Sequence, residues 1–147
     1  MQPARVIEEV EQRCAQDSLR LTPTRRRVLE LILAADGPVK AYDLLDQLKA
    51  EQPSAAPPTV YRALEFLLEH HFIHRLETLN AFVSCFHPEH RHQGRFLICE
   101  GCDAVIELPE RVSTPELTEF AAARDFRPTR QVLEIYGICS DCRLQAD

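Results

Sequence analysis

The sequence has no apolar run near the roughly 18 residues that a membrane-spanning helix needs. Its first residues, MQPARVIEEVEQRC, alternate charged and apolar side chains where a signal peptide would carry an unbroken apolar core. A cytoplasmic chain is expected. Positive charge is not in excess: 17 Lys and Arg stand against 23 Asp and Glu, for a formal net charge of −6. Binding to a polyanion therefore needs a local basic surface, and oligomerisation, to overcome the overall repulsion. There is no internal repeat and no low-complexity tract. There is also no nucleophile–base constellation and no phosphate-binding loop, so no enzyme is expected. With 147 residues, 45% hydrophobic and 27% charged, the chain suits one globular domain or two small ones.

Cysteine is present with a pattern. Of six cysteines, at 14, 85, 99, 102, 139 and 142, four form the pairs Cys99-x-x-Cys102 and Cys139-x-x-Cys142. Without a secretory signal, such pairs read as metal or redox sites before structural disulfides. Four thiolates are enough for a tetrahedral Cys₄ zinc site. Glu-Gly and Ser-Asp between the cysteines form turns, and each pair abuts a strand-like run, so two adjacent strands can present both turns together. The gap between the pairs is 36 residues, long enough to need structure of its own. The competing reading is a set of redox dithiols or disulfides.

Composition changes near residues 78–82, and the chain divides there into 1–82 and 83–147, with net charges of −2 and −4. In the first part, Val6, Val10 and Cys14 recur at helical spacing. Thr22-Pro23 reads as an N-cap followed by a first-turn proline. The helix it opens, TRRRVLELILAAD, carries Val28, Leu31, Ile32 and Ala35 inward and stops at Gly37-Pro38. A third helix, AYDLLDQLKAE, turns Leu44, Leu45 and Leu48 inward. Pro57-Pro58-Thr59 opens a fourth, with Val60, Leu64, Leu67 and Leu68 inward. FIHRLE and AFVSCF then read as two strands joined at Leu79-Asn80. Short helices followed by a two-stranded wing predict a winged helix-turn-helix, whose fourth helix enters the DNA major groove with Pro58, Thr59, Tyr61 and Arg62. The second part reads strand (RFLIC), turn, strand (AVIEL), helix (near 113–124) and strand (RQVLEIYGIC). The expected fold is α+β: an N-terminal winged helix and a small C-terminal α/β domain.

A second set of metal donors lies around the boundary: His74, Cys85, His87, His90 and His92, with Glu107 beyond Cys102. Imidazole, thiolate and carboxylate together can hold zinc. Such a site would span the boundary, and its metal would fix one domain relative to the other. Spacing leaves open which of His87, His90 and His92 binds. It also leaves open a solvated histidine loop and a Cys85 that is merely packed. Among basic residues, Arg62 suits bidentate guanine recognition. Arg25, Arg26 and Arg27 open a helix, where the dipole disfavours cations. That suggests a phosphate contact through Arg26, against the alternative of a solvated charge run. Tyr42, at a helix start, reaches DNA or covers the core.

LTPTRRRVLELI, AYDLLDQL, PPTVYRALEFLLEHHFIHRLE, FLICEGCDAVIEL and the final CSDC resemble the ferric uptake regulator superfamily, and within it the zinc regulators, over about residues 5–143. The resemblance implies a homodimeric, metal-activated repressor whose winged helix binds palindromic operator DNA and whose second domain dimerises. It implies two zinc ions per subunit, controlling zinc uptake genes. Cys99, Cys102, Cys139 and Cys142 match the structural zinc site. His74, Cys85, His92 and Glu107 match the regulatory zinc ligands. Tyr42 and Arg62 match the base-contacting pair. The iron regulators carry an H-H-D-H run before the first C-x-x-C; here Gly94-Arg95-Phe96-Leu97 stands there, so a third site built from that run is not expected. The alternatives are an iron or peroxide sensor of the same superfamily and a thiol–disulfide oxidoreductase. The Cys85 thiolate favours zinc over peroxide-sensing iron.

Overall fold

The computed structural model describes residues 2–88, 92–109, 111–112 and 114–146. The first compact unit, residues 1–91, carries α1 (Pro3–Gln16), α2 (Pro23–Ala34), α3 (Ala41–Glu51), α4 (Pro57–Glu69), β1 (Ile73–Leu76) and β2 (Ala81–Ser84). Three of these helices begin on proline, whose missing N–H falls among first-turn donors that have no intrahelical partner anyway. Thr22 caps α2 as its sequence suggests, its side chain accepting from the Arg25 N–H at 3.3 Å.

The helical faces converge on one core. Val6, Val10 and Cys14 of α1 meet Val28, Leu29, Leu31 and Ile32 of α2, Leu44 and Leu48 of α3, and Val60, Ala63, Leu64, Phe66 and Leu67 of α4. Phe72, Ile73 and Phe82 close it from the wing side. Each fully buried side chain of this kind contributes about 1.5–3 kcal/mol. Three expected positions differ. Leu45 and Leu68 are only partly buried, because they lie at the edge of their stripes. Ala35 lies beyond the last turn of α2, as its C-cap.

β1 and β2 pair antiparallel, with His74 opposite Val83. The turn between them places Asn80 at φ 49°, a left-handed conformation that asparagine tolerates. Val39, just before α3, exchanges both backbone hydrogen bonds with Phe82, at 3.0 and 2.7 Å, and so ties the wing to the helices. The unit extends nine residues past the expected boundary at residue 82. The cause lies after β2: the Cys85 N–H donates to the Phe72 carbonyl at 3.1 Å, and Arg13 donates to the Pro88 carbonyl at 2.7 Å. Residues 85–88 are therefore part of the winged helix.

The second unit, residues 92–147, holds β3 (Arg95–Cys99), β4 (Val105–Glu107), α5 (Pro115–Ala122), β5 (Leu133–Gly137) and α6 (Ser140–Gln145). Its sheet runs β4-β3-β5, with β3 antiparallel to β4 and parallel to β5. α6 was not expected. It is short, and it starts inside the second C-x-x-C. This unit buries little apolar surface: among the described residues, only Phe96, Ile98 and Cys99 are buried hydrophobics. α5 has no buried residue, while Ile106, Leu117, Phe120, Phe126, Ile135 and Ile138 are exposed.

The core of the first unit predicts the cost of opening it. Leu67, fully buried in α4, should lose about 2–5 kcal/mol on substitution by alanine. Denaturant unfolding of Leu67→Ala measures this; a loss within experimental error would place the core elsewhere.

Candidate metal centres and nucleic-acid surface

The parallel pairing of β3 and β5 sets Cys99 opposite Gly137, so both C-x-x-C turns emerge at the same end of the sheet. Cys99, Cys102, Cys139 and Cys142 are free thiols, and their sulfurs all lie within 4.8 Å of one another. Zinc–sulfur arms of about 2.3 Å in a tetrahedron give edges of about 3.8 Å. The Cys102 and Cys139 sulfurs stand 3.8 Å apart. Backbone donors complete the cradle: the N–H groups of Gly101 and Cys139 each reach Cys99 Sγ at 3.3 Å, and the N–H of Cys142 reaches Cys139 Sγ at 3.5 Å. Gly101 is required by close approach. A Cβ there would meet Cys142 Sγ at 3.0 Å and its Cβ at 3.2 Å.

The electrostatics follow from this crowding. Hydrogen bonds from the Cys139 and Gly101 N–H groups bring the Cys99 thiol down to about 6. Hydrogen bonding among the thiols acts the other way on Cys142, which its neighbours Cys139, Cys102 and Cys99 push up to about 12. Without a cation, the cluster holds an easily ionised Cys99 beside Cys102 and Cys142, whose thiols are pushed up and resist ionisation. A divalent metal removes that conflict by stabilising every thiolate at once. The donor set therefore fits zinc.

The mixed donors divide between the units. In the first, His74 sits buried on β1 and Cys85 is fully buried just after β2, a ring nitrogen of one and the sulfur of the other lying within 4.8 Å. Cys85 Sγ also accepts the His87 N–H at 3.3 Å, while the His87 side chain is exposed. In the second unit, His92 Nε2 and Glu107 Oε1 are 2.5 Å apart. Each unit thus holds a pair of zinc-compatible donors. His90 lies outside the described residues.

The residues expected at DNA lie in the first unit. Tyr42 is 72% exposed at the start of α3, and Tyr61 is 56% exposed in the first turns of α4 beside an exposed Arg62. Thr59 is bound back to its own helix start: its hydroxyl accepts the Ala56 N–H at 3.3 Å. A groove of about 460 Å³ runs past Lys40, Tyr42, Tyr61 and Arg75. The arginine run at the start of α2 is engaged within the chain. Arg26 pairs with Glu30 at 3.0 Å and with Glu11. Arg27 pairs with Glu51 and Glu30, and Arg25 lies 3.9 Å over the Phe66 ring. Sequence reasoning passed over Arg13, whose guanidinium is buried among backbone carbonyls. The available signal was its place three residues after Val10 and seven after Val6, on the inward stripe of α1.

Comparison with known proteins agrees with this geometry. Residues 16–136 match the model of the ferric uptake regulator family. The Zinc uptake regulation protein of Escherichia coli (strain K12) is 41% identical over 138 residues, 93% of this chain and 81% of that protein. A solved zinc uptake regulator complexed with zinc and DNA superposes with a TM-score of 0.92 at 38% identity, over 100% of this chain and 99% of its own. The holo form of XcZur superposes at 0.85 with 46% identity, over 94% of this chain and 96% of its own.

A metal held by the four thiols competes with protons, most of all at Cys142, whose raised value keeps it protonated through the neutral range. Retention should strengthen as pH rises. Chelator competition at about pH 6.5 and about pH 8 checks this, with easier stripping expected at the lower value. Equal retention at both would contradict the arrangement.

Proposed function

The chain belongs to the ferric uptake regulator family, and we propose that it is a cytoplasmic, zinc-responsive transcriptional repressor that binds operator DNA as a homodimer and controls zinc uptake genes. The observation that carries this reading is the buried Cys85 thiol beside His74 on the winged-helix unit itself. A soft sulfur–imidazole pair selects zinc over the oxygen-rich sites that suit iron, and it lies on the body that meets DNA. That thiolate is also the argument against the peroxide-sensing alternative.

Two zinc ions per subunit have separate tasks. Cys99, Cys102, Cys139 and Cys142 hold the structural ion in a closed site, where its binding energy is folding energy. His74, Cys85, His92 and Glu107 form the regulatory site, two donors from each unit. Zinc supplies a tetrahedral cross-link there. The first unit contributes its pair from the wing and the segment after it, and the second from β4 and the run before β3. His87 has an exposed side chain and offers its backbone N–H to Cys85 instead. Linking the units narrows their relative orientations to those that place two recognition helices about one helical turn of DNA apart.

Arg62, with Tyr42, reads bases from the start of α4 and α3, and Tyr61 and Thr59 flank them. Lys40 and Arg75 near the same groove supply the local positive charge that the acidic chain otherwise lacks. Arg26 serves as a phosphate contact only by giving up Glu11 or Glu30, so its part is the smaller. The exposed apolar side chains of the second unit, with so thin a core beneath them, support dimerisation through that unit.

Arg62→Ala should cost about 1–3 kcal/mol of operator binding and relax specificity at one base pair. An unchanged ratio of operator to random-sequence affinity would remove Arg62 from base reading. Cys85→Ser should abolish the zinc dependence of operator binding while keeping fold, dimer and the Cys₄ metal, since the two sites share no ligand. Operator titrations at controlled free zinc test this. A Cys85→Ser curve that still tracks zinc as the parent does would show that the sensing ligands lie elsewhere.

A further inference from the structure

Arg13 is the buried charged residue that the proposed function leaves unused. It lies on α1, only 7% exposed, and its one ion pair is long: Nε stands 3.8 Å from Oδ2 of a half-exposed Asp17. Its guanidinium is satisfied by backbone instead. One terminal nitrogen donates to the His70 carbonyl at 2.5 Å and the other to the Pro88 carbonyl at 2.7 Å. The planar group lies 4.7 Å from the centre of the Phe72 ring. Burying a cation whose short contacts are two carbonyls, with only a long, half-exposed ion pair beside them, is costly, so the position calls for a reason beyond packing.

The two carbonyls mark the ends of something. His70 is the C-cap of α4, where helix carbonyls lack partners and a cation is favoured. Pro88 closes the short segment that begins at Cys85. That segment is pinned at its start by the Cys85 N–H on the Phe72 carbonyl, and at its end by Arg13. Between the pins lie the Cys85 thiol and the His87 N–H that it accepts. One side chain therefore holds the end of the helix proposed to read DNA and the segment proposed to bind the regulatory metal.

We propose that Arg13 is a positioning residue for the regulatory zinc site, fixing the 85–88 segment against the end of α4 so that Cys85 and His74 are set before metal arrives. The proposal rests on the assignment of Cys85 and His74 as regulatory ligands. Partners that orient metal ligands typically govern about ten- to hundred-fold in affinity. Arg13 acts at one further remove, through the backbone. Two donors on a rigid plane serve two carbonyls at once, which a lysine cannot do.

The test is a chelator-competition titration of the second zinc, on protein that keeps its first, for the parent, Arg13→Met, Arg13→Lys and Cys85→Ser, with a thermal melt of each. Arg13→Met keeps a stem against Phe72 and removes both donors. It should bind the second zinc at least about ten-fold more weakly while the first zinc stays bound. Arg13→Lys should recover part of that loss. Parent-like second-zinc affinity in a folded Arg13→Met, whatever its melting temperature, overturns the proposal, because a merely structural role moves the melt and not the affinity. If Arg13→Met does not fold, Arg13→Lys decides: weakened second-zinc binding supports the role and parent-like binding overturns it. Cys85→Ser separates the two claims. If it keeps the second zinc, the ligand assignment fails and the role of Arg13 fails with it. If it loses the zinc while Arg13→Met does not, only the role of Arg13 fails.

Discussion

Four sulfurs within 4.8 Å of one another impose the constraint on which the second unit depends. As thiols they compete for each other's protons, and as thiolates they repel. Only a central cation satisfies all of them. The sheet is arranged to force this meeting: parallel register puts the end of β3 beside the end of β5, and Gly101 leaves room where a Cβ would strike Cys142. Little else holds this unit. Among the described residues, Phe96 and Ile98 are its buried apolar side chains apart from Cys99, and a domain this small ordinarily needs a metal, a partner or both. The exposed apolar residues and the thiol cluster thus answer the same deficit. In the proposed function, metal would give the sheet its end and a second subunit would give it a core.

The winged helix has the opposite economy. Its apolar stripes close a core across four helices and the wing, so burial within the unit is its main support. The same unit carries the two donors proposed to sense metal. His74 and Cys85 are set buried into the wing and the strand exit, while the surface at α3 and α4 presents Tyr42, Tyr61 and Arg62.

Much of this was legible in the sequence because its signals are local. Helical periodicity located α1 to α4, prolines marked helix starts, and Thr22 caps as its type suggests. The two C-x-x-C pairs announced a shared site, and β3 and β5 are indeed neighbours. What escaped was non-local. The first unit runs past residue 82 because Phe72 and Arg13 bind the backbone of residues that follow the wing, and no spacing rule reports that. Arg13 reads as one more charge on an amphipathic helix. The sequence left the arginine run at α2 between a phosphate contact and a solvated face; what it did not report is that glutamates from α1, α2 and α3 engage Arg26 and Arg27. α6 is too short to show a period at all.

The central claim is that zinc and operator DNA favour the same arrangement of the two units. Linkage then requires each to tighten the other by one factor. The direct measurement is the affinity of the second zinc with and without saturating operator DNA, set beside operator affinity with and without zinc. The account predicts equal ratios, both well above one. A second-zinc affinity identical in the presence and absence of operator would contradict it.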